Sequence, residues 1–364
     1  MKRVLCLISS MNTGGAETFL MKVYRNLDKS KYQMDFCVNV EQEGFYDKEI
    51  IEMGGKIYRI PPKSHDVDGF RKGLYDLVRT ERYEYVLRIT SNAAGFMDLK
   101  IAKKAGAKIC IARSSNSDIG ASVKSKLINR VSRALFIKYV DVKIAPSDLA
   151  AEYTFGKKRA GNGDVKYLHN AVDLSVFRYG EDDRSQIRQE FGLEDKIVIG
   201  HIGRLNHQKN HKFLLDVFAK IKEKEDRAVL VLVGKGELEN EIKAKADDLG
   251  LSDSVIFTGV RSDIPALLSA MDVFVFPSFY EGMPNTVIEA QATGLPCIIA
   301  DTITREADIT GLVRYMSLDE TAEEWADAVL SAISEERTDT KQKFIDNKYD
   351  IDSTVKYFTE LIFG

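Results

Sequence analysis

Two glutamates eight positions apart enclose the residues of a helix start in EGMPNTVIEAQATGLP, residues 281–296. Pro284 fits the first turn of a helix, where its missing N–H costs no hydrogen bond, and Gly294 is typical of a helix end. The backbone amides of Asn285 and Thr286 would then point outward, and the helix dipole adds to their attraction for an anion. The stretch therefore predicts an anion site at the start of this helix.

The two glutamates indicate which anion is bound. Glu289 lies about one turn into the predicted helix, where its carboxylate can accept hydrogen bonds from a ribose diol. Glu281 precedes the helix and lies nearer the phosphates and the group that they carry. Either glutamate alone is more often a solvated helix carboxylate, so the prediction depends on the helix start between them. Together they predict a nucleoside diphosphate lying across the helix start.

Two cations point to the same ligand. Arg204 and Lys209 stand five positions apart in a loop that follows an apolar strand and leads into a helix. At the carboxyl edge of a parallel sheet they can clamp a diphosphate, arginine as a fork and lysine as a point charge. Two solvated surface cations are the ordinary interpretation of such a pair, and the anion site at 281–296 is what favours the clamp.

A glycine turn lies near the N-terminus. Gly14 and Gly15, in NTGGAE, stand between a strand and a helix, where a ligand can approach the backbone closely at the helix start. The alternative is a simple tight turn, and the position between strand and helix favours a binding role.

Short apolar runs alternate with amphipathic stretches along the chain, which indicates strands alternating with helices. The predicted strands are 3–9, 34–40, 56–60, 85–90, 108–113, 197–203, 228–234, 254–259, 272–278 and 297–300. The predicted helices include 16–27, 211–224, 237–249 and 263–270. This order is typical of parallel sheets covered on both faces, and two such series predict an α/β protein with two doubly wound, Rossmann-like domains.

The polar stretch 178–196 marks the crossing between the two domains. We expect an N-terminal domain at 1–175, a second domain at 176–345, and a C-terminal helix within 346–364 that packs back toward the first domain. Ligands of doubly wound sheets lie beyond the carboxyl ends of the strands. The binding site is therefore expected in the cleft between the two domains.

Composition excludes several classes of function. A chain of 364 residues with 44% hydrophobic residues, 29% charged residues and a net charge of −3 has no general attraction for nucleic acid. Its apolar runs are too short to span a membrane, and MKRVLCLISS is interpreted as a first strand rather than a signal peptide. The four cysteines are scattered, and we expect buried thiols in a reducing, cytoplasmic location. Neither a D-x-D pair nor a histidine cluster suits a metal, so no metal and no cofactor are expected.

Arg204, Lys209, Glu281 and Glu289 occur in the order and context of one known family. The chain resembles the GT-B-fold retaining glycosyltransferases of family 4, or glycosyltransferase group 1, which carry an E-x7-E motif. NTGGAE is similar to the N-terminal glycine loop of that family, and HNAVD, residues 169–173, is similar to its segment at the domain crossing. The run VRSDIPALLSAMDVFVFPS is most like the subgroup that builds bacterial exopolysaccharide and capsule.

The resemblance implies a metal-independent glycosyltransferase of cell-surface polysaccharide synthesis. Such an enzyme moves a sugar, with retention of configuration, from a nucleotide-sugar donor, a UDP-sugar, to a glycan or a lipid-pyrophosphate-linked acceptor. The N-terminal domain would bind the acceptor, and the second domain would bind the donor. The catalytic residues that the resemblance implies are Arg204, Lys209 and Glu281. The donor-binding residues that it implies are Gly14, Gly15, Val260, Arg261, Gly282, Met283, Asn285, Thr286 and Glu289.

One segment departs from the family pattern. Many relatives place a histidine after the strand equivalent to 108–113, where this chain has RSSN. Arg113, Ser115 and Asn116, together with Asn170, can contact the donor sugar or the acceptor instead. The departure keeps two alternatives open: a nucleotide-sugar-binding subunit that supports another transferase, and, less favoured, a GT-B-fold nucleotide-sugar epimerase.

Residues 98–143 are strongly basic within a mildly acidic chain, with eleven Lys or Arg residues against three Asp residues. Five apolar residues form one stripe of a helix in this segment: Leu127, Ile128, Val131, Leu135 and Phe136. In one interpretation the stripe faces the core and the basic residues face solvent. In the other, it rests on an anionic membrane surface near a lipid-linked acceptor, which implies a peripheral position on the inner face of the cell membrane.

Overall fold

Strands and helices alternate along the computed structural model, which describes residues 1–115 and 122–364. The chain divides into two units. The first unit contains residues 1–171 and 348–364, and the second contains residues 172–347. The predicted roles of the two domains, acceptor binding and donor binding, stay predictions.

The first part of the chain builds the first unit. Its elements are β1 (Lys2–Leu7), α1 (Gly15–Asn26), β2 (Tyr32–Val38), α2 (Asp47–Glu52), β3 (Ile57–Arg59), α3 (Val67–Thr80), β4 (Tyr85–Thr90), α4 (Phe96–Ala105), β5 (Ile109–Ser114), α5 (Val123–Phe136), β6 (Val142–Ala145), α6 (Asp148–Phe155), α7 (Lys157–Gly161) and β7 (Val165–Tyr167).

The second unit follows. Its elements are α8 (Glu181–Phe191), β8 (Ile197–Ile202), α9 (His211–Lys224), β9 (Ala228–Val233), α10 (Glu239–Asp248), β10 (Val255–Gly259), α11 (Ile264–Ala270), β11 (Val273–Phe276), α12 (Asn285–Ala292), β12 (Cys297–Ala300), β13 (Val313–Met316), α13 (Ala322–Ile333) and α14 (Lys341–Asp346). The last helix, α15 (Ile351–Phe363), belongs to the first unit and packs against α1.

Each unit is built on one parallel sheet. The strand order in the described part of the first unit is β3-β2-β1-β4-β5-β6-β7, and in the second it is β10-β9-β8-β11-β12-β13. The prediction of two doubly wound α/β domains is confirmed. The direction of winding reverses between β1 and β4 and between β8 and β11, and doubly wound sheets bind ligands at the carboxyl edge of such points.

The strands are apolar because helices cover both faces of each sheet. In β1, Val4 and Cys6 pack into a cluster with residues of α1 and α15, whereas Leu5 and Leu7 pack into a second cluster with residues of α3 and α4. Successive side chains of a strand point to opposite faces, so one apolar run serves two cores. In the second unit β9, AVLVLV, is buried along its whole length.

The four cysteines, Cys6, Cys37, Cys110 and Cys297, are free and buried, as the sequence predicts. Burial raises the pKa of all four thiols, to about 12 for Cys37 and Cys110.

Arg337 joins two helix ends in the second unit. Its guanidinium donates hydrogen bonds to the backbone oxygens of Leu268 (2.7 Å), Ser269 (3.2 Å) and Met271 at the end of α11, and to that of Thr293 (2.8 Å) at the end of α12. The last carbonyls of a helix have no partner within the helix, so one side chain satisfies groups of both helices. Burial lowers the pKa of Arg337 to about 10.

Candidate functional site

In the second unit, the loops that follow β8 and β11 are joined at the point where the winding of the sheet reverses. The backbone N–H of Phe279 donates to the carbonyl oxygen of Gln208 at 2.9 Å. Nε2 of Gln208 donates to the carbonyl oxygen of Tyr280 at 2.8 Å, and the rings of His207 and Phe279 lie 4.9 Å apart. These contacts fix two loops that are about seventy residues apart in sequence.

The joined loops bring Lys209 and Glu281 together. Nζ of Lys209 donates to Oε1 of Glu281 at 2.6 Å, and both side chains are largely buried, at 15% and 10% exposure. The ammonium also lies 4.4 Å from the ring centroid of Phe276, and the side chain of Asn206 accepts a hydrogen bond from the backbone N–H of Lys209. Two predicted catalytic residues therefore form one ion pair.

Arg204 stands apart from this pair. Its side chain is 72% exposed, and Nε lies 3.5 Å from a carboxylate oxygen of Glu237. An exposed ion pair of this length contributes little stability, so Arg204 can reorient toward a ligand at small cost.

The helix start between the glutamates is displaced by one residue from its predicted position. Pro284 has φ −79° and ψ 97°, so it precedes α12 rather than occupying its first turn, and Asn285 is the first helical residue. The extended ψ of Pro284 is the reason, because a residue inside the first turn has helical dihedrals. Thr286 and Glu289, on α12, are half-buried.

The ends of this stretch are fixed by packing. Gly282 and Met283 are half-buried, and Met283 packs against the core of the second unit. Gly294, just after α12, has φ +70°, and a Cβ there would lie 2.4 Å from the carbonyl oxygen of Thr338. Only glycine fits this position, which agrees with its predicted role in closing the helix.

Val260 and Arg261 follow β10. Val260 is 75% exposed, whereas Arg261 forms ion pairs with Glu190 (2.7 Å) and Asp263 (2.6 Å) and lies over the ring of Phe191. The structure brings neither residue into the Lys209–Glu281 contact, and their placement beside a nucleotide base stays a prediction.

Two buried histidines, which the sequence analysis did not place in the site, lie next to Lys209. His201 is fully buried on β8, and its ring packs 5.3 Å from that of Phe276 and 4.6 Å from that of His211. Burial lowers the pKa of His201 well below its usual value and that of His211 to about 4. A histidine inside an otherwise apolar strand is the only sequence signal that could have pointed to this pair.

The buried histidines should make stability depend on pH. The pKa of His211 falls from 6.5 to about 4 on folding, so the unfolded chain binds more protons than the folded one between these values. The free energy of unfolding therefore decreases as the pH falls through this window, by about 2 kcal/mol from His211 at pH 5. We expect the urea midpoint to drop less between pH 7 and pH 5 in His211→Gln than in the wild type. Equal drops would show that His211 does not contribute.

The first unit has a polar cavity where its own winding reverses. Gly14 precedes α1, Gly15 is its first residue, and the Glu17 carboxylate lies over Gly14, so that a Cβ there would be 2.4 Å from it. The cavity measures about 240 Å³ and lies beyond the carboxyl ends of β1, β4 and β5. Its polar lining includes Ser9, Glu17, Lys63, Arg88, Thr90, Asn92 and Ser115.

Charged side chains form one wall of this cavity. Lys63 and Arg88 both pair with Asp98, which is 1% exposed, and Nε of Arg88 lies 2.9 Å from its carboxylate. Burial lowers the pKa of Lys63 and raises that of Glu17. Such a mixture of carboxylate, cation and hydroxyl groups can hydrogen-bond a polyhydroxylated ligand.

The residues of the RSSN segment differ in their surroundings. Arg113 is 1% exposed, donates to Oδ1 of Asn170 at 2.8 Å, and lies 3.7 Å from the ring centroid of Phe19. Burial lowers its pKa to about 9. Ser115 is exposed at the cavity, and Asn116 lies outside the described residues.

The apolar stripe of α5 faces outward, so the core-facing interpretation is wrong for most of it. The exposed fractions are 85% for Val123, 62% for Leu127, 44% for Ile128, 50% for Val131 and 57% for Leu135. The protein-facing side is polar: Asn129 bonds to the backbone of Ala93 and Tyr153, and Arg133 donates to the carbonyl oxygen of Tyr153. Of the predicted stripe, Phe136 alone packs against the core.

In the described ranges, no helix combines the length and apolarity that a membrane span requires. The same ranges contain no group of three or more His, Cys, Asp or Glu side chains arranged to hold a metal ion. Metal independence stays a prediction.

Comparison with known proteins identifies relatives across nearly the whole chain. The family described as glycosyl transferases group 1 matches residues 183–350. A Bacillus subtilis (strain 168) protein described as a glycosyltransferase, EpsF, is 36% identical over 350 residues, 94% of this chain and 90% of the relative. The Escherichia coli UDP-Gal:alpha-D-GlcNAc-diphosphoundecaprenol alpha-1,3-galactosyltransferase is 31% identical over 63% of this chain and 60% of its own length.

The same fold occurs in solved structures. Anabaena Alr3699/HepE in complex with UDP superposes with a TM-score of 0.79 over 99% of both chains, at 18% sequence identity. At this identity the likeness concerns the fold, which is that of the GT-B glycosyltransferases.

Proposed function

The chain belongs to the group 1 glycosyltransferases, and on this premise we propose that it transfers a sugar from a UDP-sugar to a lipid-linked glycan, with retention of configuration, in cell-surface polysaccharide synthesis. The observation that carries the proposal is the buried Lys209–Glu281 ion pair at the winding reversal of the second sheet. A cation for the leaving diphosphate and a carboxylate for the sugar stand side by side there.

In the proposed reaction the bond between C1 of the sugar and the β-phosphate oxygen breaks, and an acceptor hydroxyl oxygen bonds to C1. UDP leaves with the electron pair of the broken bond, and the proton of the acceptor hydroxyl passes to the leaving diphosphate. Lys209 and Arg204 stabilise the charge that develops on the diphosphate, and the start of α12 adds its fixed dipole. Glu281 binds the donor sugar, Glu289 binds the ribose, and Val260 and Arg261 border the base. This cationic set takes the role of a metal ion.

The choice of UDP and of a lipid-linked acceptor has separate support. The Anabaena protein of the same fold has been solved with UDP-glucose as well as with UDP. The Escherichia coli relative acts, by its name, on a diphosphoundecaprenol-linked sugar. In the first unit, the 240 Å³ cavity is of monosaccharide size, and we assign it to the terminal sugar of the acceptor, with Glu17 and Ser115 among its contacts.

A donor panel with product analysis tests this function. The full chain is incubated with UDP-glucose, UDP-galactose or UDP-N-acetylglucosamine and a polyprenyl-diphosphate-linked sugar, and the new anomeric signal is identified by NMR. We expect UDP release and a product with the configuration of the donor, unchanged in excess EDTA. Inverted configuration, or loss of turnover in EDTA that Mn²⁺ restores, would contradict the retaining, metal-independent mechanism. Binding without turnover would indicate the partner-subunit alternative, and isomerised donor the epimerase.

We also propose that the exposed face of α5 rests on an anionic membrane, on the inner face of the cell membrane where lipid-linked acceptors are extended. Val123, Leu127, Val131 and Leu135 present apolar surface to solvent, and segment 98–143 supplies an excess of cations. Apolar insertion and attraction to acidic headgroups together favour this occupant over a soluble protein partner.

Vesicle binding tests the α5 surface. Each basic residue near an anionic bilayer contributes about 1 kcal/mol, so Lys124→Gln with Arg130→Gln should lower partition into phosphatidylglycerol vesicles about thirtyfold. Leu127→Ser with Val131→Ser should lower it at least as far. The matched control, Val176→Ser with Leu249→Ser, alters exposed apolar residues of the second unit and should leave partition unchanged. Equal binding by all variants would rule out the α5 surface.

A further inference from the structure

The buried histidine His201 lies next to Lys209, the lysine of the proposed donor site. Resting on the proposed role of Lys209 as a diphosphate clamp, we propose that His201 is a positioning residue, which orients the Lys209 ammonium toward the diphosphate when Glu281 turns to the donor sugar.

The protonation state of His201 follows from its contacts. Nδ1 lies 2.9 Å from the carbonyl oxygen of Val275, and a carbonyl only accepts, so Nδ1 carries the proton. The ring is fully buried, and burial keeps it neutral. Nε2 is therefore a hydrogen-bond acceptor, and it has no partner among the described residues.

Gly203 connects this acceptor with Lys209. A Cβ at position 203 would lie 3.1 Å from Nε2 of His201 and 3.2 Å from Cε of Lys209. The missing side chain of Gly203 thus leaves one gap that both groups border. A Cβ at this position would crowd both groups.

The arrangement matters when the donor binds. Lys209 forms an ion pair with Glu281, and the proposed reaction sends Glu281 to the sugar and Lys209 to the diphosphate. A neutral acceptor behind the ammonium can hold its direction without cancelling its charge, which a carboxylate in the same place would do. The ring of Phe276, 4.4 Å from Nζ, supports the ammonium in the same way.

The structural contacts of His201 use only one of its two ring nitrogens. Nδ1 donates to the carbonyl oxygen of Val275, whereas Nε2 is a buried acceptor without a partner among the described residues, and such a group lowers stability. Its presence beside Lys209 agrees with a role for Nε2 that is exercised only when the ligand is present.

The ratio of UDP to UMP affinity tests the inference, because only UDP carries the second phosphate. Both affinities are measured by titration calorimetry for the wild type, Lys209→Met, His201→Phe and His201→Gln. We expect Lys209→Met to lower the ratio at least tenfold and His201→Phe to lower it about fivefold, with UMP affinity unchanged. His201→Gln keeps a neutral acceptor and should recover much of the loss. Ile199→Val, a buried change on the same strand, controls for packing and should leave the ratio unchanged.

The outcomes separate this inference from the proposed function. An unchanged ratio in Lys209→Met would overturn the clamp and, with it, the inference. A lowered ratio in Lys209→Met but not in His201→Phe would overturn the inference alone, as would equal losses of UDP and UMP affinity. If His201→Phe does not fold, His201→Leu, which also removes the acceptor, takes its place and is compared in the presence and absence of Lys209→Met. Equal effects in both backgrounds would mean that His201 acts independently of Lys209.

Discussion

Lys209→Met is expected to lower kcat by about 10² to 10³, because removal of a charge that stabilises the leaving group acts mainly in the transition state. It should also lower the melting temperature, since Glu281 is buried and would lose its partner. Adding Glu281→Gln removes the unpaired carboxylate. We therefore expect the double variant to regain the melting temperature of the wild type but not its turnover, as measured by calorimetry and UDP release.

The double variant should also turn over more slowly than Glu281→Gln alone, and this further loss is what distinguishes a clamp from a structural ion pair. Equal turnover in the double variant and in Glu281→Gln would mean that Lys209 serves only to neutralise Glu281. Arg204→Met is a useful companion, because Arg204 is exposed and its loss should reduce turnover without changing the melting temperature.

Substitutions of Glu281 and Glu289 are expected to have different effects on UDP affinity and turnover. If Glu289 holds the ribose, Glu289→Gln should weaken free UDP and the whole donor alike, by about 1–3 kcal/mol for a charged hydrogen-bond partner. If Glu281 faces the sugar, Glu281→Gln should lower kcat and leave UDP affinity at or above that of the wild type. UDP affinity should not fall in this variant, because Glu281→Gln also releases Lys209 from its ion pair.

Calorimetric titration with UDP, beside turnover with the full donor, distinguishes the two. A loss of UDP affinity in Glu281→Gln, with none in Glu289→Gln, would place the nucleotide in the opposite direction across the start of α12. The thermal stability of Glu289→Gln serves as the control for folding.

The alternation of apolar runs with amphipathic stretches predicts most of the fold, because each central strand is buried on both faces. Strands predicted at 197–203 and 228–234 occur at Ile197–Ile202 and Ala228–Val233. The pattern does not predict β6, β7 and β13, which are three or four residues long and carry Lys143, Lys166 and Arg314. Strands so short and so mixed in polarity have no pattern that separates them from loops.

The sequence indicates which residue types belong to the candidate site but not how they pair. The sequence predicts a clamp from Arg204 and Lys209, yet the structure pairs Lys209 with Glu281 and leaves Arg204 beside Glu237. Which cation meets which carboxylate depends on how two loops are joined, and Gln208 joins them by hydrogen bonds to backbone groups of Phe279 and Tyr280, which carry no sequence signal. The direction in which the α5 stripe faces could not be predicted for a similar reason. Periodicity shows that a helix has an apolar stripe but not whether the stripe faces the core or solvent.

The hydrogen bonds of Arg337 limit where the chain can be cut when the second unit is expressed alone. Arg337 lies between α13 and α14, beyond the last strand of the second sheet, and yet it satisfies backbone oxygens at the ends of α11 and α12. A fragment of the second unit cut at 336 would remove the Arg337 donor from the carbonyls of Leu268 and Thr293, at about 1–3 kcal/mol for each one left buried and unsatisfied. A second unit prepared for separate expression should therefore begin at 172 and extend past Arg337 to 347, and α14 should be retained even though it adds no strand to the sheet.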